Sequence, residues 1–82
     1  MAKIDAKALA LSFGIVWAAG LFIAGIISSS VKWGDGFVMV MSSLYIGYYS
    51  SLFGSLIGAA WGFVDGYIGG LIIAWLYNRF AK

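Results

Sequence analysis

The chain has 82 residues, 63% of them hydrophobic and only 10% charged, with a mean hydropathy of +1.01 and a net charge of +2. A water-soluble domain this small needs more polar surface than these residues provide, so the composition is that of an integral membrane protein. With no cysteine, no histidine and three acids, disulfides and imidazole or thiolate metal sites are excluded, and neither an enzyme nor a cofactor is expected. The basic residues cluster at the two ends, which suits anionic lipid and not nucleic acid.

Residues 1–7 form a short basic tail with Lys3, Asp5 and Lys7. The run 8–31 then carries no charge. As a helix it is about 36 Å long, enough to cross the hydrocarbon layer with some tilt. A signal peptide competes with this reading, but the apolar run is longer than a typical signal core, and a retained span is expected. It carries two series of small residues four apart: Ala10, Gly14 and Ala18, then Gly20, Ala24 and Ser28. Residues 32–36 hold Lys32 and Trp33, a pairing typical of the membrane–water boundary, followed by the turn residues Gly34, Asp35 and Gly36.

Residues 37–49 are apolar but too short to cross alone. Phe37, Val40, Met41, Leu44 and Tyr48 share a helical face, so a short interfacial or re-entrant helix is expected. It should break near Gly47, Ser50 and Ser51. Trp33, Tyr45, Tyr48 and Tyr49 are expected at headgroup depth as interface anchors. Residues 51–77 form the second span, closed by a terminal tail, 78–82, with Asn78, Arg79 and Lys82. A third span, made by turning at Asp65 and Gly66, would leave a last segment of about fourteen residues, below the usual minimum.

The second span is organised by glycine at every fourth position: Gly54, Gly58, Gly62, Gly66 and Gly70. Glycine in a helix interior costs roughly 1 kcal/mol against alanine, so five in register imply a compensating close contact. In lipid the helix is enforced by the cost of unpaired backbone, and small residues let a second backbone approach. A step of four winds the row around the helix. One neighbour is therefore not expected to cover it all, which predicts a glycine zipper between copies and a homo-oligomer that Gly62→Leu should break. Near the middle of the same span lies Asp65, where a charge costs roughly 3 kcal/mol on insertion scales. Neither span offers a lysine or arginine. The carboxyl must therefore hold a proton, line a wet cavity or find donors, of which Trp17 and Trp61 are nearest by depth. Its readings are a register-fixing hydrogen bond or ion and proton handling.

The run Gly58, Ala59, Ala60, Trp61, Gly62, Phe63, Val64, Asp65, Gly66, Tyr67, Ile68, Gly69 and Gly70, with Ala74, Trp75, Leu76, Tyr77 and Asn78, resembles a family of small prokaryotic membrane proteins. So do Leu44, Tyr45, Ile46, Gly47 and Tyr48. These proteins are labelled bacteriophage holin or holin-like, and the resemblance covers nearly the whole chain. It implies an inner-membrane protein that self-assembles and opens a pore or lesion. The alternatives are a structural or accessory subunit of a larger membrane assembly, or an oligomer that conducts protons or cations through Asp65. Lys3, Lys7, Arg79 and Lys82 at the ends, against Lys32 in the loop, place both termini in the cytoplasm. The expected fold is thus an all-α membrane protein: a two-span hairpin with a short helix between the spans, assembled with itself.

Overall fold

Asp5 starts the first helix: its side chain accepts from the Ala8 amide at 3.1 Å, which satisfies one of the open donors of the first turn. The computed structural model describes residues 3–81; Met1, Ala2 and Lys82, parts of the expected tails, lie outside them. Helix α1 runs Ala6–Val31 and stops where Lys32 takes a left-handed conformation (φ 64°) and its N–H closes on the Ser28 carbonyl at 3.1 Å. Helix α2 is Asp35–Ser42, and α3 is Leu52–Phe80, capped by the Ser51 hydroxyl accepting from the Gly54 amide at 2.8 Å. The fold is all-helical among the described residues.

Helix α3 passes unbroken through Asp65 and Gly66, as the two-span reading expects, and not as the three-span alternative would have it. Two elements differ in their bounds: α3 runs past 77, through Asn78 and Arg79, to Phe80. There the Arg79 guanidinium lies 5.7 Å over the Trp75 ring. Helix α2 begins two residues early and ends at Ser42, because the Ser42 and Ser43 hydroxyls bond back to the Met39 and Val40 carbonyls. The chain then turns through Gly47 at φ +91°, a backbone conformation suited to glycine. The face of this segment that packs inward is also not the expected one. Val38, Tyr45 and Tyr48 are buried with Leu21, flanked by Trp17 and Met41, whereas Val40 and Leu44 are exposed.

Helices α1 and α3 are both long and apolar enough to cross a membrane, with mean hydropathies of 2.2 and 1.6. Only 22% and 17% of those windows are buried, so their apolar side chains face outward. The core helix of a soluble protein would bury most of them. Helix α1 packs against α3 along its length.

That cover accounts for the glycine row. A β-carbon on Gly70 would lie 2.6 Å from Cα of Ala10, and one on Gly66 would lie 2.7 Å from the Phe13 carbonyl oxygen. At Gly62 the neighbour is Leu21, with Ala18 and Trp17. Farther along, Gly58 faces the ring of Tyr48 and Gly54 faces Tyr49. The expectation that one neighbour cannot cover a winding row holds, but the second cover is the 43–51 segment of the same chain. All five positions are therefore filled within the protomer, and Gly62→Leu would first break the hairpin itself.

The loop ends are tied by a polar cluster. The Ser28 hydroxyl donates to Asp35 Oδ1 and pairs with Ser50 at 2.6 Å, joining the end of α1 to the starts of α2 and α3. Ser28 is fully buried and does not reach headgroups as a helix-end serine would. At the opposite end, Asn78 clasps Ile4, accepting from its N–H at 2.7 Å and donating to its carbonyl at 2.8 Å.

Backbone contact at Gly70 gives a direct prediction. Gly70→Ala should lower hairpin stability by about 1–3 kcal/mol through overpacking. Gly69→Ala, one residue away with nothing within 4 Å of its β-carbon, should leave stability unchanged or slightly raised. Unfolding titrations in detergent micelles compare the two; equal losses would contradict packing within the protomer.

Candidate functional site

The site lies where the 43–51 segment dips between the spans. Trp17 is roughly 16 Å along α1 from Ser28, and Asp65 sits near the middle of α3. Tyr45 reaches both. The Trp17 indole N–H donates to the Tyr45 hydroxyl at 3.0 Å, and that hydroxyl donates to Asp65 Oδ2 at 2.5 Å. The Tyr45 ring stacks on Trp61 with centroids 5.9 Å apart. Trp61 in turn donates to the Ile46 carbonyl at 2.9 Å, fixing the backbone next to Tyr45. On the α1 side, Trp17 meets Phe37 edge-on at 6.4 Å.

Tyr48 secures the same segment one turn away. Its ring occupies the space left by Gly58 and borders Gly25, whose own space the Ser55 side chain fills, and its hydroxyl donates to the Leu21 carbonyl at 2.7 Å. A phenol at this depth needs a partner for its hydroxyl, and an α1 carbonyl supplies one. Beside it, the Ser55 hydroxyl donates to Ser51 at 2.5 Å within α3's first turn.

Two of the expected interface anchors are therefore part of the interior. Tyr45 is 6% exposed and Tyr48 is 1% exposed. Tyr48 points inward because Gly58 leaves room for its ring and Leu21 offers a carbonyl, and Tyr45 because Trp17, Asp65 and the Trp61 ring receive it. Tyr49 and Trp33 are exposed, Trp33 in the turn between α1 and α2.

Asp65 obtains its hydrogen bond from neither residue singled out by depth. Trp17 acts one step away through Tyr45, and Trp61 serves the Ile46 carbonyl. The donor that sequence reasoning missed is Tyr45. No signal in the sequence singled it out, because a tyrosine beside a span has the same amphipathic pattern whether it lies at the interface or folds inward. Asp65 is also exposed on the outside of the protomer. With Phe13, Val16, Trp17, Gly66, Gly69 and Ile73 it lines an open groove between α1 and α3. The glycine row and the carboxylate thus have different surroundings. The row is covered, and Asp65 sits at the edge of that cover.

No family model, curated protein or solved structure matches this chain.

The Tyr45–Asp65 bond can be measured as a coupling. In a double-mutant cycle of Tyr45→Phe and Asp65→Ala, the two changes should be non-additive by about 1 kcal/mol, the scale of such bonds between membrane helices. Micelle unfolding of the four proteins reads it, and additive losses would show that the pair contributes nothing.

Proposed function

We propose that this chain is a self-assembling protein of the prokaryotic inner membrane that forms a holin-like pore or lesion. In this reading the α1–α3 hairpin, wedged by its 43–51 segment, is the building block. The observation that carries the reading is the position of Asp65: mid-span, far from Lys7 at the start of α1 and Arg79 at the end of α3, the cations of the two helices, and open on the surface of the hairpin. Facing lipid, a charge there costs roughly 3 kcal/mol. Facing a lumen formed by several copies, it meets water instead. The likeness to holin-like proteins, carried by the residues 58–70 and 44–48, supports the same reading.

Assembly then uses surface other than the glycine row. Gly20 on α1 and Gly69 on α3 have nothing within 4 Å of their β-carbons, and Gly69 borders the Asp65 groove. The orientation with both termini in the cytoplasm rests on Lys3, Lys7 and Arg79, near the ends that Ile4 and Asn78 clasp together. One observation favours a second reading, an accessory subunit of a larger membrane assembly. The glycine row is satisfied within one chain, which gives a finished hairpin whose Asp65 groove a different partner's donor can cover.

Vesicles loaded with a fluorescent dye test the first reading. Release is expected to rise steeply with protein-to-lipid ratio, and Gly69→Leu should suppress both release and oligomer size while the hairpin still folds. Vesicles that stay sealed at high loading would overturn the pore. Purification from native membranes in fixed stoichiometry with another protein would favour the accessory subunit.

A further inference from the structure

The direction of the hydrogen bonds around Asp65 assigns its proton. An indole N–H donates and cannot accept, so the Tyr45 oxygen takes the Trp17 bond as acceptor. The phenol's own proton is then directed at Asp65 Oδ2. An oxygen receiving that proton does not point one of its own back along the same line. Asp65 Oδ1 has no hydrogen-bond partner among the described residues and is the oxygen left free to carry a proton. Asp65 lines the groove with Phe13, Val16, Trp17, Gly69 and Ile73, whose side chains offer no other acceptor. Of the elements packed around Asp65, the 43–51 segment presents one titratable group to it, Tyr45, while α1 has no charged residue after Lys7.

We propose that Asp65 is a proton-binding site reached from the open groove it lines, with Tyr45 holding Oδ2 in place. The Trp17–Tyr45 pair is not the route, because a chain that ends on a donor-only indole has nowhere to take a proton from. The chemistry favours a proton over a metal cation. A hard metal ion needs several oxygen ligands, the groove supplies one carboxyl, and among the described residues no three His, Cys, Asp or Glu side chains come together. The proposal takes from the pore reading only the membrane setting.

The test uses the whole protein in phospholipid vesicles, treated with dicyclohexylcarbodiimide, an apolar reagent that requires a protonated carboxyl. The carboxyl oxygen bonds to the carbodiimide carbon as its proton passes to nitrogen, and the resulting O-acylisourea rearranges to a stable N-acylurea. Mass spectrometry should place the adduct on Asp65 and not on Asp5 or Asp35. Its yield should fall as pH is raised, be unchanged when sodium replaces choline in the buffer, and be lost in Asp65→Asn. Tyr45→Phe should label at least as fast as the parent, since Oδ2 is freed. Absence of an adduct on Asp65 at every pH would overturn the proposal, as would protection by sodium. Loss of labelling in a Tyr45→Phe protein that still folds would also overturn it, by routing the proton through the phenol. Labelling reads the carboxyl and dye release reads the assembly, so either reading can fail alone.

Discussion

Where α1 crosses Gly66 and Gly70, main chain rests against main chain, and a β-carbon at either position would fall inside the contact distance of α1 backbone atoms. Two apolar helices in lipid gain nothing from hiding their side chains from one another, because the acyl chains are equally apolar. Their association rests on close packing and on hydrogen bonds between them. Glycine makes that approach possible on α3, and Ala10, Gly14 and Ala18 answer it on α1. The first of the two small series in α1 is thus the counterpart of the α3 row.

Beyond Gly62 the seam is kept by a different device. Gly58 leaves space for an aromatic ring, which Tyr48 fills with its hydroxyl on the Leu21 carbonyl, while Gly25 on α1 admits the Ser55 side chain beside it. The same kind of residue therefore does two jobs along one row. At one end glycine admits a backbone, and at the other it admits a phenol. The Ser28, Asp35 and Ser50 cluster holds the mouth of the segment that delivers Tyr48 and Tyr45. Short as it is, that segment turns a two-helix contact into a protomer with a polar centre.

Asp65 takes its character from being next to the seam without being in it. Its neighbours Gly62 and Gly66 face α1, so the carboxylate emerges at the edge of the groove, where Tyr45, itself held by Trp17, donates to it. A donor-only indole, a phenol and a carboxylate in that order form a hydrogen-bond chain with a fixed sense. One oxygen is held and one is left open, and this asymmetry supports a chemical role beyond packing.

The sequence by itself determined the two helices long and apolar enough to cross a membrane and the broken segment between them, because apolar run length, charge placement and glycine spacing are local properties. It also singled out Asp65, since a lone acid in an uncharged run is visible without coordinates. What covers the glycine row was decided only by the tertiary structure. A four-residue repeat states that something comes close but carries no label for which chain supplies it, and here α1 and the 43–51 segment do. The inward turn of Tyr45 and Tyr48 was likewise illegible, because tyrosine near a span end has the same amphipathic pattern whether it points to headgroups or into a cleft. Only the space left by Gly58 and the hydrogen-bond partners on two different helices distinguish the two.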